Sequence, residues 1–270
     1  MVAPFIAGMT MSELNALMTG GFATVAGGVL AAYVGLLEGV VPGIAGHLIA
    51  ASVMSAPAAL VVAKVMWPET EPSETSAKGR VEVDRPDVNL IDAAARGAGE
   101  GLKLALNVGA MLIAFIALIA LANALLGLPV SLYNEWMGLD GGSAVEPLTL
   151  QRILGWLFWP LAFLIGVPAS ECAAIGTLLG EKLVLTEFIA YLDLYETLSE
   201  GEVALSPRTV VIASYALCGF ANFGSIGIQL GGIGGIAPQR RHDLARLGVR
   251  AMLGGMLASL MTASVAGLLY

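Results

Sequence analysis

Glu187 lies in Gly180-Glu181-Lys182-Leu183-Val184-Leu185-Thr186-Glu187-Phe188, near the end of an apolar piece of chain that Glu181 and Lys182 also interrupt. A carboxylate there can accept hydrogen bonds from a polyhydroxy ligand or sit beside a cation. Lys182 stands five residues away, a poor helical spacing, so a structural ion pair would run to Glu181 or across a hairpin. A second group occupies Tyr215–Gln229, where Asn222, Ser225 and Gln229 recur at i, i+3 and i+7. That spacing predicts one face of a helix. Gly219, Gly224, Gly227, Gly231 and Gly232 surround it and let the backbone approach a ligand or neighbour closely. An amide and a hydroxyl on such a face suit a neutral, hydrogen-bonding solute; close helix packing through small residues is the alternative. Thr24 stands between two glycine pairs in Gly20-Gly21-Phe22-Ala23-Thr24-Val25-Ala26-Gly27-Gly28. A helix broken there would offer freed carbonyls and the threonine oxygen to a hard cation, whereas a threonine bonded back to the preceding turn is the ordinary reading.

Other chemistries find little support. His47 and His242 read as solvated or interfacial groups, and no Ser-His-Asp constellation or metal-ligand cluster accompanies them. Cys172 and Cys218 are far apart in apolar stretches and read as buried small hydrophobes, not as a disulfide or zinc site. Gly231–Gly235 follows no strand, so it is not a dinucleotide loop.

The elements that must hold these groups follow from composition. Of 270 residues, 57% are hydrophobic and 13% are charged, with a mean hydropathy of +0.82. Soluble domains carry about 25% charge, so a water-facing globule of this size is excluded, as is a disordered chain. A formal charge of −8 excludes a nucleic-acid partner, because phosphate binding needs a basic field. What remains is an all-α polytopic membrane protein. No basic stretch and cleavage site follow Met1, so no signal peptide is expected. Charge-poor intervals near the roughly 20 residues that cross a bilayer predict five spans, at about 13–37, 43–66, 98–127, 208–236 and 246–269. The expected organisation is two spans in 1–66, the first broken near 20–28. A polar cytoplasmic loop with an interfacial helix near Asn89–Arg96 follows in 67–97, then a long helix over 98–130. The last two spans fall in 206–270.

The stretch 150–198 reads differently. Its apolar pieces, Ile153–Val167 and Ala173–Leu192, are separated by Gly166-Val167-Pro168-Ala169-Ser170-Glu171. Short apolar segments interrupted by Gly and Pro predict a re-entrant helical hairpin; two ordinary spans with a tight turn are the alternative. Arg240, Arg241, Arg246 and Arg250 place their segment in the cytoplasm, and the acidic stretch 193–208 suits the outside. Tyr270 is then extracytoplasmic and the N-terminal end is inside.

At these residues the sequence closely resembles the concentrative nucleoside transporter family, from about Met9 to Tyr270. The resemblance rests on Met9-Thr10-Met11-Ser12-Glu13-Leu14, Gly21–Gly27, Ser52-Val53-Met54-Ser55-Ala56-Pro57-Ala58, Pro68-Glu69-Thr70-Glu71, Gly180-Glu181-Lys182 with Thr186-Glu187-Phe188, and Cys218–Ser225. It implies import of nucleosides across the cell membrane, coupled to sodium or protons, by a homotrimer with opposed re-entrant hairpins. It further implies that Glu187, Asn222 and Ser225 bind the ribose hydroxyls and that Phe220 and Val29 pack near the base. The Thr24 hydroxyl and the Val25 carbonyl would belong to a sodium site. The family's first hairpin carries a Gly-Gln-Thr-Glu-Ala-Pro-Leu motif that reads the base and completes the cation site; this sequence does not contain it. The chain is therefore expected to be the C-terminal part of such a transporter, giving a partial fold with about five spans and one hairpin. Two rivals stand beside a symporter. One is a non-transporting fragment that needs an N-terminal half. The other is a membrane-embedded enzyme using Glu187, which lacks a second catalytic group at that depth, so no enzyme is expected.

Overall fold

Polar caps and tertiary contacts, more than hydropathy alone, decide where the helices start and stop. The structure, a computed structural model, describes residues 3–73, 75, 88–139, 145–201 and 204–270. Ten α-helices and no strand occur among the described residues. α1 (Met11–Ala23) opens on a reciprocal cap in which Thr10 accepts from the Glu13 N–H and Glu13 accepts from the Thr10 N–H, satisfying two helix-end donors. α2 (Gly27–Leu37) follows after a break at 24–26. α3 (Ile44–Met66) runs on through Pro57. α4 (Leu90–Met137) is capped by Asn89 and extends for 48 residues. α5 (Leu150–Leu164), α6 (Cys172–Val184), α7 (Glu187–Glu200), α8 (Pro207–Leu217), α9 (Phe223–Ile236) and α10 (Arg241–Leu269) complete the order. Among the described residues three stretches are long and apolar enough to cross a membrane: Met11–Leu37 taken through its break, Ile44–Met66 and Pro238–Leu269.

Several expected boundaries move. The interfacial helix near Asn89–Arg96 and the helix over 98–130 are one continuous helix, because Gly97, Gly99 and Gly101 weaken a helix by only about 1 kcal/mol each. Of the polar loop, residues 74 and 76–87 lie outside the described residues. The span expected at 208–236 is two helices, α8 and α9, separated by 218–222. The second hairpin arm expected at Ala173–Leu192 is broken at Leu185–Thr186, where the Thr186 side chain caps α7. The first half of the acidic stretch expected as an outer loop is the end of α7, and the last span begins at Arg241.

The chain divides into two compact units, one within Val81–Ile153 that contains α4, the other comprising Val2–Arg80 and Leu154–Tyr270. In the second unit α10 packs on α1, α3, α8 and α9. Gly248, Gly255 and Gly267 present only backbone toward Ile226, Phe22 and Ile212, the close approach by which membrane helices associate. α5 from Leu154 onward and α6 form a tight pair, with Gly176 against the Gly155 carbonyl. The reversal between them is held by Arg208, which donates to the carbonyls of Gly166 and Gly267, each at 2.7 Å. α2 packs on α3 and α7, and α7 packs on α6 and α8.

Candidate functional site

Three interruptions of helix meet in the second unit: Thr24–Ala26 between α1 and α2, Leu185–Thr186 between α6 and α7, and Cys218–Asn222 between α8 and α9. The third is fixed by Gly219. Its φ is +102°, and a Cβ there would stand 2.6 Å from the Ala23 carbonyl oxygen, so only glycine lets this break press on the first. A broken helix leaves carbonyls unpaired, and in an apolar surround these need internal donors. Lys182 donates to the carbonyls of Ala216 (2.8 Å) and Cys218 (3.2 Å), and Ser259 donates to Cys218 at 2.7 Å. The Tyr191 hydroxyl donates to the Ser214 carbonyl at 2.8 Å. Lys182 is therefore used to finish a helix end, and no Lys182–Glu181 ion pair forms among the described residues.

Glu187 sits at the join between the second and third breaks. It is the first residue of α7, where the helix dipole favours negative charge, and only 5% of it is exposed. One carboxylate oxygen accepts from the Tyr33 hydroxyl at 2.8 Å and the other from the Asn222 amide at 2.9 Å. Each oxygen has a further lone pair, so the carboxylate retains capacity for two more donors. Asn222 is the N-cap of α9, its carbonyl oxygen accepting from the Ser225 N–H at 2.8 Å. Asn222, Ser225 and Gln229 thus do not share one face of an unbroken helix: Asn222 is in the break, Ser225 in the first turn. The Ser225 hydroxyl makes no hydrogen bond among the described residues. Gln229 turns away to the Met18 carbonyl at 3.1 Å.

The remaining candidates are nearby in the fold, without a hydrogen bond to Glu187. Phe220 is half-buried in the third break, Val29 half-buried in the first turn of α2, and Thr24 and Val25 half-buried in the first break. The Thr24 hydroxyl donates to the Gly20 carbonyl at 2.9 Å, the ordinary back-bonded geometry, which leaves its oxygen lone pairs available. The same helix end leaves the carbonyls of Gly21, Phe22 and Ala23 without a backbone donor among the described residues. Such oxygens fit a hard monovalent cation. Sequence reasoning missed Tyr33, which reaches Glu187 because α2 packs on α7 and sets its ring, tilted by 38°, 4.6 Å from that of Tyr191. The signal was a lone phenol in a charge-free span, since buried tyrosine hydroxyls find partners.

The chain is similar to known proteins over most of its length. Residues 47–267 match the family model described as Na+ dependent nucleoside transporter C-terminus. An uncharacterised transporter of Bacillus subtilis, YutK, is 48% identical over 272 residues, covering 99% of this chain and 62% of that protein. Sodium/nucleoside cotransporter 1 of Mus musculus is 41% identical over 285 residues, covering 100% of this chain and 41% of its own length. Among solved structures, CNTnw in an inward-facing, substrate-bound state is 49% identical with a TM-score of 0.81, over 99% of this chain and 59% of that one. A CNTnw variant in an outward-facing state gives a TM-score of 0.83 at 48% identity, over 99% of this chain and 60% of that one. The chain thus spans about three-fifths of the first of these relatives and less of the mammalian one. With most of its length matched by the family model and by solved relatives of the same helical fold, the chain is a membrane protein that belongs to the concentrative nucleoside transporter family.

Proposed function

We propose that this chain supplies the nucleoside-holding part of a nucleoside–cation symporter that imports nucleosides across the cell membrane by alternating access. The observation that carries the proposal is Glu187: a buried carboxylate at a helix N-terminus, held by Tyr33 and Asn222, with acceptor capacity left over. In this reading Glu187 accepts from the ribose hydroxyls, and the Asn222 amide and Ser225 hydroxyl complete the grip. Phe220 and Val29 flank the base. The name of the mammalian relative, a sodium/nucleoside cotransporter, and the substrate-bound state named for CNTnw support that substrate class.

A sodium ion would be held by the Thr24 hydroxyl, the Val25 carbonyl and the unpaired carbonyls at the end of α1; a proton is the other candidate for coupling. The α5–α6 pair would be the re-entrant hairpin, moving as a rigid body with the breaks it supports. The assembly is a homotrimer in the cell membrane, with the Arg240–Arg250 segment cytoplasmic and Tyr270 on the outer side. The test is uptake of labelled uridine by the complete protein in vesicles, with and without a sodium gradient. Glu187→Gln should reduce uptake roughly 10- to 100-fold, the worth of a charge-assisted hydrogen bond. Unchanged uptake by that variant contradicts the assignment.

A further inference from the structure

The first turns of α10 carry more positive charge than the fold uses. Arg240 is committed: it donates to the carbonyls of Ile6, Ala7 and Met9 and pairs with Asp243 at 2.7 Å. Arg241 and Arg246 are exposed and make no hydrogen bond or ion pair among the described residues. Arg250, one turn beyond Arg246, lies over the Trp67 ring at 4.5 Å. Arg241, in the first turn, opposes the helix dipole, and Arg246 and Arg250, in the second and third turns, have no acidic partner among the described residues, which leaves the cluster open to an anion from outside the fold. Past Arg250 the same face turns apolar, with Leu253 and Leu257 exposed. It leads into a groove of about 280 Å³ between α3 and α10, lined among others by Pro57, Val61, Met261 and Val265. The one hydroxyl in that lining, on Thr262, is spent on the Ser259 carbonyl. Met261 and Val265 lie roughly 16 and 22 Å along the helix from Arg250 at 1.5 Å per residue, about the depth of acyl-chain ends in one leaflet.

We infer that the seam between α3 and α10 seats one anionic phospholipid, its phosphate on Arg246 and Arg250 and an acyl chain running past Leu253 and Leu257 into the groove. The charge at one end, the arginine-covered tryptophan at headgroup depth and the apolar groove at chain-end depth together fit a lipid. A zwitterionic lipid leaves the arginine charge uncompensated, and a free phosphate leaves the groove unfilled.

The test is native mass spectrometry of the complete protein with added dioleoylphosphatidylglycerol, dioleoylphosphatidylcholine or glycerol phosphate. Phosphatidylglycerol should bind preferentially, and glycerol phosphate should not displace it. Arg246→Gln breaks no contact in the structure and should weaken phosphatidylglycerol binding about fivefold, and the double change with Arg250→Gln roughly 25-fold, from the attraction per arginine to an anionic surface. Replacing both by lysine should restore the preference. Val61→Trp, which fills the groove, should weaken both lipids. Equal binding of the two lipids, or a preference that survives Arg246→Gln with Arg250→Gln, overturns the inference. So does a Val61→Trp variant that alters oligomeric state while lipid binding is unchanged, because the groove then seats another protein surface.

Discussion

Replacing Tyr33 by Phe removes one oxygen from the centre of the site and leaves its packing against Tyr191 in place. The phenol donates to Glu187 at 2.8 Å with both groups buried. A hydrogen bond to a charged group contributes about 1.5–3 kcal/mol, against about 1 kcal/mol for a neutral one. Tyr33→Phe in the unaltered protein should therefore cost roughly 2 kcal/mol, and in a Glu187→Gln background roughly 1 kcal/mol. The coupling across the double-mutant cycle is then about 1 kcal/mol or more. In the proposed role, where Tyr33 orients the carboxylate toward the sugar, the loss should also appear as weaker uridine binding, about tenfold. The assay is equilibrium binding of labelled uridine to the four variants of the complete protein, with thermal unfolding measured in parallel. Equal losses in both backgrounds would refute the reasoning, since the phenol would then be indifferent to the charge it faces.

Gly219→Ala should prevent the third break from closing on the first. The added Cβ meets the Ala23 carbonyl and φ is positive, so a loss of about 2–4 kcal/mol is expected from overpacking and strain together, read as lowered thermal stability. Lys182→Met removes the donor to the Ala216 and Cys218 carbonyls, of which Cys218 keeps Ser259, and should destabilise by about 1–3 kcal/mol, the cost of one unsatisfied buried acceptor, whereas Lys182→Arg should lose less. Unfolding midpoints of the two variants decide this. Outside the spans, the Thr10 hydroxyl and then Lys64 hold the Glu69 carboxyl below the ordinary carboxylate range. A lowered folded-state value contributes stability above the unfolded pKa that is lost as pH falls through the folded one. Thr10→Ala should move the Glu69 titration upward in an NMR measurement.

The sequence disclosed the acid of the site more readily than the geometry that holds it. Glu187 stood out because an acid after apolar residues is costly at bilayer depth, and Asn222 because an amide recurs there among glycines. The break that makes Asn222 a helix cap was not legible. The i, i+3, i+7 spacing fits an unbroken helix equally well, and the interruption arises from Gly219 meeting the Ala23 carbonyl, a contact about 200 residues apart in sequence. Lys182 read as half of an ion pair because side-chain charges are visible in a sequence; its partners are backbone carbonyls, which are not. Tyr33 reaches Glu187 across 154 positions, a pairing set by α2 lying on α7. Charge at Asp92, Arg96, Glu100 and Lys103 sets the start of α4 apart from the charge-free interval that follows, whereas the cap at Asn89 begins a single helix that runs through both.

The most direct measurement compares uridine with its 2′,3′-dideoxy analogue in equilibrium binding to the complete protein, before and after Glu187→Gln. If the buried carboxylate grips the sugar, the unaltered protein should favour uridine by roughly 10- to 100-fold, and the variant should lose most of that preference. Equal affinity for the two nucleosides in the unaltered protein, or discrimination that survives the substitution, would contradict the account.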